Sequence, residues 1–320
     1  MKISVIIPVR NEEASIGALI DDLLKQTLKP AEVVITDGGS TDATPAIISQ
    51  FIASGAPLRL IREDAALPGR GRNLAAAEAA NEWLAFIDAG TRPEPSWLQA
   101  LADEAQADGV DVVYGSFEPV ADSLFKQCSV MAYIVPPVAI DGKLVRTRSV
   151  ASVLLKRSVW QSVGGFPEDL RSAEDLLFMN RIDNGKFRIA NAPDALVHWH
   201  LQATPWLTFK RFVTYARNNM RAGLWRQWQA AIFSRYAILI VAAAPSLWLG
   251  WKWLLVVLIT WLAMLSARAA VAIWRNRACY PGNLFKNVAR LLVLIPLIAL
   301  LDAATITGTL HWAVKDKLGL

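Results

Sequence analysis

The 320-residue sequence contains only two cysteines, Cys128 and Cys279, and three histidines. The cysteines lie in different segments and offer neither a metal-binding spacing nor a disulfide framework, which is consistent with a reducing cytoplasm. No internal repeat and no low-complexity segment is evident. The apolar run after Lys2 ends at Pro8 and acids follow at once, so it is too short for a signal-peptide core. We expect residues 3–7 to form a buried strand and the globular part to stay on the side where it is made.

Acidic residues are nearly missing from the last part of the chain. Residues 201–320 contain 14 Lys and Arg but only Asp302 and Asp316, whereas residues 1–200 contain 19 basic and 26 acidic residues. The whole chain is 54% hydrophobic, with a mean hydropathy of +0.31. Because the positive charge lies beside long apolar runs, it favours a membrane surface over a nucleic acid as partner. A soluble helical domain would need fewer Trp and Leu residues than the segment 236–312 contains.

The first part of the chain alternates apolar strand-like segments with amphipathic helix-like segments. This alternation predicts an α/β fold with a parallel sheet over residues 1–110, and the pattern loosens after about residue 115. The predicted strands are Ile3–Ile7, Val33–Thr36, Leu58–Ile61, Glu82–Ile87, Val110–Tyr114 and Ser152–Leu155. The predicted helices are Glu13–Lys25, Thr44–Ser54, Arg72–Ala80, Pro95–Ala107 and Ala173–Asn184.

The last part of the chain predicts membrane helices. Residues 205–230 resemble an amphipathic helix or helix pair rich in Trp, Phe and Arg. Each of three following segments approaches the roughly 20 apolar residues that a bilayer requires. They cover about 232–250, about 253–273 and about 290–312. The first contains Pro245 and is the weakest, so two or three transmembrane helices are expected.

Basic residues between the second and third apolar segments predict that this loop is cytoplasmic. Asp302, within the third segment, is costly in lipid and is expected to face another helix or subunit. We therefore predict a globular domain over residues 1–203, interfacial helices over 204–231 and a membrane domain over 232–320.

The segment Glu32–Asp42 combines a buried strand with an acid-bearing glycine turn. Asp37 stands at the end of the strand, and Gly39 with its neighbouring glycine supplies backbone angles that other residues resist. In an open α/β sheet, ligands bind outside the carboxyl ends of the strands. Asp37 could be an ordinary turn residue, but its place at a strand end favours contact with a ligand.

Three more polar turns show the same pattern. Pro8–Glu12 follows the first strand, Gly69–Asn73 is a glycine-loosened basic turn suited to a diphosphate, and Asp88–Gly90 puts a carboxylate at the end of the fourth strand. One such turn is weak support for a ligand site. Four in this order along one sheet are strong support.

With these motifs, the sequence resembles the family 2 glycosyltransferases of the GT-A fold, in particular membrane-attached bacterial enzymes of polysaccharide and lipid-linked glycan assembly. The family's P-x-x-N-E, D-G-S-x-D, A-R-N and D-x-D turns correspond to PVRNE, DGGSTD, GRN and DAG. The segment Gly164–Glu168 and the pair Glu174-Asp175 resemble the family's G-G-F segment and E-D pair. The resemblance is specific over residues 1–200.

The resemblance implies a nucleotide-sugar donor and an inverting mechanism. It implies that Glu12 and Asp37 face the nucleoside, that Arg72 faces the diphosphate and that Asp175, next to Glu174, is the base for the acceptor hydroxyl. The residues expected to bind the donor are Pro8, Arg10, Glu12, Asp37, Gly39, Arg70, Arg72, Asn73, Asp88 and Ala89. Taken alone, Glu174-Asp175 could instead be the acidic first turn of a helix.

Position 90 departs from the family pattern, because Gly90 replaces the acid that usually ends the D-x-D turn. Either Asp88 holds Mg²⁺ or Mn²⁺ together with the diphosphate and His198 or His200, or Arg70 and Arg72 take over part of the charge. We favour the metal-using version.

We therefore predict an inverting glycosyltransferase of the inner membrane, with its catalytic domain facing the cytoplasm, that moves a hexose to a lipid-linked or membrane-proximal glycan. Its expected partners are the donor, the acceptor and the membrane, and no nucleic acid. Because Gly90 replaces an acid, a non-catalytic scaffold that binds a nucleotide sugar stays an alternative function. A nucleotidyltransferase would need a Gly-rich, Lys-bearing loop after the first strand, and PVRNEE is not one. The sequence leaves the sugar, base, acceptor and oligomeric state open.

Overall fold

A computed structural model describes residues 1–140 and 143–319. The chain forms two compact units. The first contains Met1–Val120 and Pro137–His200, and the second contains Ala121–Pro136 and the chain from Leu201 onwards. The segment Ala121–Pro136 therefore belongs with the C-terminal helices, whereas the sequence pattern assigned it to a continuous domain over residues 1–203.

The first unit is built on an eight-stranded mixed sheet with the order β3-β2-β1-β4-β9-β6-β10-β5. Strands β1 to β4 are parallel to one another, β9 is antiparallel to both of its neighbours, and β10 is parallel to β6. The strands of this sheet are β1 (Ile3–Val9), β2 (Glu32–Asp37), β3 (Leu58–Arg62), β4 (Trp83–Phe86), β5 (Thr91–Pro93), β6 (Val112–Val120), β9 (Val153–Lys156) and β10 (Ile189–His200). A separate two-stranded hairpin consists of β7 (Val138–Ile140) and β8 (Lys143–Val145).

Helices cover both faces of the sheet. The helices of this unit are α1 (Ile16–Leu24), α2 (Thr44–Ala53), α3 (Pro68–Glu78), α4 (Trp97–Ala105), α6 (Arg157–Ser162) and α7 (Glu174–Asp183). Apolar residues of α1, α2 and α4 form one core with the sheet, and those of α3, α6 and α7 form another on the opposite face. Burial on both faces explains why the parallel strands are continuous apolar runs. The α/β class predicted from the alternating pattern is confirmed.

Helices α1 and α3 begin three or four residues from their predicted starts. The carbonyl of Glu12 accepts hydrogen bonds from the amides of Ser15 and Ile16, so a turn precedes α1 and the helix begins at Ile16 instead of near residue 13. Helix α3 begins at Pro68, because proline suits the first turn of a helix, where its missing amide hydrogen has no intrahelical partner. The basic glycine segment 69–72 is therefore the first part of α3 and not a loop before it.

The second unit is helical. Its helices are α5 (Leu124–Tyr133), α8 (Pro205–Arg221), α9 (Trp225–Trp228), α10 (Ala230–Ala243), α11 (Ser246–Leu249), α12 (Lys252–Arg275) and α13 (Leu284–His311). Three helical stretches are long and apolar enough to cross a membrane, namely Ala230–Leu249, Lys252–Arg275 and Leu284–Lys317. Cys128 and Met131 of α5 pack with α12 and α13, which accounts for the assignment of this segment to the second unit.

Asp302 is fully buried among these helices. Its carboxylate accepts two hydrogen bonds from Arg268 of α12, at 2.5 and 2.9 Å, and one from the Tyr236 hydroxyl of α10, at 3.3 Å. The indole nitrogen of Trp261 donates to the same hydroxyl at 3.2 Å. The prediction that Asp302 faces another helix is confirmed, since a charged group in an apolar helix is tolerated when it is paired.

Candidate active site

The candidate site lies in the first unit, where β1, β2 and β4 end at the same edge of the sheet. Val9 at the end of β1 is paired in register with Asp37 at the end of β2. On the other side of β1, Ile6 is paired with Phe86, so Asp88 follows β4 at the same level. Parallel pairing therefore brings three of the predicted polar turns together, at the edge where open α/β sheets bind ligands.

A buried arginine joins two of the predicted site regions. Arg72 of α3 donates to Asp88 at 2.7 Å and to Glu174 at 2.8 Å. Its side chain also lies over the ring of Phe166, with 5.3 Å from the guanidinium carbon to the ring centre. Arg72 is 5% exposed and Glu174 is 4% exposed, so this ion pair is shielded from solvent. The fold thus brings Asp88 and the Glu174-Asp175 pair together through one guanidinium.

Asp175 lies at the start of α7, beside this ion pair. Ala173 precedes the pair with a left-handed backbone, φ 72°, which is uncommon for a residue other than glycine and is a form of strain found at functional sites. The Asp175 carboxylate accepts a hydrogen bond from the amide of Leu176 at 2.8 Å. Burial, reinforced by the Glu174 carboxylate and opposed by Arg72, raises the pKa of Asp175 to about 6. A carboxylate with such a pKa suits a general base near neutral pH.

Arg72 has a different setting from the one that the resemblance implies. Burial disfavours its charge, but the Asp88 and Glu174 carboxylates outweigh that effect and raise the pKa of Arg72. Two of its nitrogens are already bound to these carboxylates, which gives Arg72 a positioning role. Its contact with a donor diphosphate stays a prediction.

The loop after β1 is tied to the loop after β2. Asn11 has a left-handed backbone, φ 54°, and its amide donates to the Ser40 hydroxyl at 2.8 Å. The Thr41 amide in turn donates to the Asn11 side chain at 2.8 Å. These bonds fix the two loops to each other. Arg10, which precedes Asn11, is exposed and its side chain is available to a ligand.

Asp37 is completely buried under its own turn. Its Oδ1 accepts a hydrogen bond from the Ser40 amide at 3.0 Å, and its Oδ2 lies 3.8 Å from the Arg62 guanidinium. Within residues 1–140 and 143–319, Oδ2 has no hydrogen-bond partner. Gly39 follows with φ 80°, a conformation that a side chain would strain. The buried carboxylate orders this turn, and its contact with a nucleoside stays a prediction.

The remaining residues of α3 are bound within the protein. Arg70 is paired with Glu63 at 2.5 Å and with Glu168 at 3.0 Å. The Asn73 amide group donates to the Phe166 carbonyl and to Glu168, both at 2.9 Å. Its oxygen accepts hydrogen bonds from the Phe166 amide at 2.9 Å and from the indole of Trp160 at 3.0 Å. The geometry gives Asn73 a role in docking the Gly-Gly-Phe segment onto α3, while the predicted donor contacts of both residues stay predictions.

Close backbone approach explains the second glycine of this helix. A Cβ on Gly71 would lie 3.2 Å from the Cβ of Pro8, so a larger residue would push α3 away from β1. Pro8 therefore contributes to the site by packing under α3, whatever contact it makes with a donor.

The predicted metal residues are not gathered into a complete ligand set. The Asp88 side chain is 44% exposed, whereas Ala89 next to it is buried. The Nε2 of His198 lies 2.6 Å from the Glu94 carboxylate, so this ring nitrogen already has a partner. Among the described residues, no group of three or more His, Cys, Asp or Glu side chains could hold a metal ion. The His198 ligand stays a prediction without a geometric counterpart.

The sequence pattern does not indicate several of the partners in this network. Glu63 and Glu168 hold Arg70, and the Phe166 ring lies under Arg72. Glu168 and Phe166 belong to the Gly-Gly-Phe segment, which was the only sequence signal for them. No sequence signal indicates Glu63, because its pairing with Arg70 depends on how the loop after β3 folds against α3.

Residues 4–132 match the family model described as glycosyl transferase family 2. The chain is 26% identical over 200 residues to the glycosyltransferase AglE of Haloferax volcanii, a match that covers 61% of this chain and 65% of AglE. It is 28% identical over 229 residues to the succinoglycan biosynthesis protein ExoA of Rhizobium meliloti, covering 68% of each chain.

The fold has solved counterparts as well. The mannosyltransferase PcManGT from Pyrobaculum calidifontis, solved with GDP-Man and Mn²⁺, superimposes with a TM-score of 0.57 at 20% identity, over 99% of this chain and 88% of that one. The first unit thus has the GT-A fold. The family model over residues 4–132 and these relatives support glycosyltransferase family 2, the family that the turn motifs indicated.

Proposed function

We propose that the chain is a membrane-attached, inverting glycosyltransferase that moves a hexose from a nucleotide sugar to a lipid-linked or membrane-proximal glycan acceptor. The observation that carries the proposal is the buried Asp88–Arg72–Glu174 connection. It holds a partly exposed carboxylate, suited to a donor, next to a carboxylate of raised pKa, suited to a base.

Asp175 acts on the acceptor in this proposal. Its deprotonated carboxylate takes the proton of an acceptor hydroxyl while the hydroxyl oxygen bonds to the anomeric carbon. The bond between that carbon and the diphosphate breaks on the opposite face, and the nucleoside diphosphate leaves. One displacement inverts the anomeric configuration, so no second nucleophilic carboxylate is needed. Glu174 and Arg72 keep Asp175 and Asp88 in place.

The residues present fit a divalent cation held partly by the donor. Mg²⁺ and Mn²⁺ are commonly bound through one or two carboxylates together with substrate phosphates. Asp88 offers one partly exposed carboxylate at a strand end, where it would hold the cation. A bound cation would neutralise the charge that develops on the leaving diphosphate.

Membrane attachment supports the assignment of the acceptor. Three apolar helices suited to cross a bilayer indicate membrane association. The residues Arg275, Arg277 and Lys286 between the second and third of them favour a cytoplasmic loop, and thereby an inner-membrane protein with its donor site in the cytoplasm. An enzyme tied to the bilayer meets lipid-borne acceptors at high effective concentration.

Transfer of labelled sugar tests the proposal. Purified full-length protein in detergent is mixed with membrane lipid extract and with UDP-, GDP- or dTDP-sugars, and label in the lipid fraction is counted. We expect one donor to give product, EDTA to stop the reaction and Mn²⁺ to restore it. Nucleotide-sugar binding without transfer or hydrolysis with any acceptor would favour the non-catalytic scaffold that Gly90 keeps open.

The pH dependence of sugar transfer should follow the protonation of the Asp175 carboxylate. Because its pKa is raised to about 6 and the base must be deprotonated, activity is expected to be constant above that pH and to be lost below it. The value of kcat/KM should fall about tenfold per pH unit on the acid side, as for one essential base in the free enzyme. Donor binding, measured over the same range, serves as the control. A profile of kcat/KM that stays flat down to pH 4.5 would contradict the role of Asp175.

A further inference from the structure

The turn that carries Asp88 has one carboxylate fewer than the D-x-D turn of the family pattern. Gly90 stands where the family pattern usually has a second acid, and this glycine has an ordinary backbone, since it is not among the residues of positive φ. The Thr91 amide and hydroxyl both donate to the Asp88 carbonyl, at 3.1 and 2.8 Å, so the turn is closed without a side chain at position 90.

A carboxylate from another loop borders the space beside Gly90. A Cβ built on Gly90 would lie 3.9 Å from both carboxylate oxygens of Glu12, and no other described atom beyond its chain neighbours comes within 4 Å. Glu12 follows the end of β1, the strand next to β4. Its carboxylate therefore lies where the side chain of an acid at position 90 would extend.

Among the described residues, the Glu12 carboxylate has a hydrogen-bond donor but no cationic partner. The Ser15 hydroxyl donates to Oε2 at 2.6 Å, and the Glu12 amide donates to the Thr44 hydroxyl at 2.8 Å. Within residues 1–140 and 143–319, Glu12 forms no ion pair with a Lys, Arg or His side chain. An anchored carboxylate without a cationic partner, close to the turn that carries Asp88, suits a divalent cation.

We propose that Glu12 replaces the carboxylate missing at position 90 and is, with Asp88, a protein ligand of the cation that accompanies the donor diphosphate. This inference rests on the proposed function. It changes one part of it, because the family resemblance implies that Glu12 faces the nucleoside and not the cation. It also explains how a D-x-G turn retains a metal site. The cation would be shared between the loops that follow β1 and β4, with the diphosphate supplying the remaining oxygens.

Binding of Mn²⁺ is the direct test. Free Mn²⁺ is measured by electron paramagnetic resonance with full-length protein in detergent, in the presence of UDP and, separately, of GDP. Glu12→Gln keeps an acceptor for Ser15 but removes the charge. We expect it to weaken Mn²⁺ binding by at least about tenfold, the lower end of losses seen when residues supporting a metal site are changed. Glu12→Gln combined with Gly90→Asp should restore binding to within about threefold of wild type, since a carboxylate returns to the same space.

Glu13→Gln is the matched control, because it removes the same charge one residue away, where the side chain binds the Ala43 amide instead. Its Mn²⁺ affinity should equal that of wild type. Equal Mn²⁺ affinity in Glu12→Gln and wild type would overturn the inference and leave the proposed transferase intact. If wild type binds no Mn²⁺ with either nucleotide, the metal part of the proposed function fails as well. Should Glu12→Gln not fold, Glu12→Asp replaces it. Its shorter side chain draws the carboxylate back from the turn, so weaker Mn²⁺ binding supports the inference and wild-type affinity overturns it.

Discussion

Replacing Asp175 with Asn should abolish sugar transfer while the protein stays folded. Asparagine keeps the shape of the side chain and an oxygen that accepts the hydrogen bond from the Leu176 amide, but it cannot take a proton from an acceptor hydroxyl. Removal of a general base costs about 10²–10⁴-fold in rate, and we expect a loss of at least about 10³-fold in kcat. The measurement is single-turnover transfer of labelled sugar with saturating donor.

Binding of UDP and GDP by calorimetry serves as the control for this variant. Donor affinity should stay within about threefold of wild type, because Asp175 is assigned to the acceptor and not to the nucleotide. If Asp175→Asn retains more than a tenth of the wild-type kcat, Asp175 is not the base and the proposed mechanism is wrong.

Replacing Arg72 with Met should be the most destabilising single change in the site. It leaves Glu174, which is 4% exposed, without its cationic partner. Removal of one member of a buried ion pair costs about 3–5 kcal/mol of the free energy of unfolding, because the remaining charge is buried and uncompensated. The double variant Arg72→Met with Glu174→Gln should regain much of this stability, since no buried charge remains. Denaturant unfolding followed by tryptophan fluorescence measures both.

Arg70→Met is the matched control for stability. Arg70 lies two residues earlier on α3 and is also paired with two carboxylates, but its side chain is 42% exposed. Ion pairs that are open to solvent contribute little to stability, so the loss should be small and well below that of Arg72→Met. Sugar transfer separates the two roles of Arg72. The stabilised double variant should still be inactive, because the guanidinium no longer joins Asp88 to residue 174, the neighbour of Asp175. Full activity of the double variant would show that the connection has no part in transfer.

The strand-ending turns could be read from the sequence because each combines a short apolar run with glycine and an acid. Asp37 and Asp88 follow β2 and β4 as predicted, and parallel pairing puts them at one edge. The ion pair beside Asp175 is harder to predict from the sequence. Glu174 and Arg72 are 102 positions apart, and no local pattern indicates that their side chains meet.

The same limit applies to the second unit. The apolar helices can be predicted from composition, since a segment of about 20 mostly apolar residues is typical of a membrane-spanning helix. The partner of Asp302 does not, because Arg268 is one of several basic residues in the region and only helix packing selects it. The assignment of α5 to this unit also depends on packing, since its short sequence is neither long enough nor apolar enough to indicate a membrane helix.

The sequence by itself determined the α/β class, the resemblance to glycosyltransferase family 2 and the presence of apolar helices, because these depend on periodicity and on motifs that are local along the chain. Tertiary structure alone decided which charges meet. It buries Arg72 between Asp88 and Glu174, turns His198 toward Glu94 and brings the Glu12 carboxylate beside Gly90. The physical reason is that ion pairs and ligand sets depend on distances of a few ångströms between residues far apart in sequence, which are fixed only when the loops pack against one another.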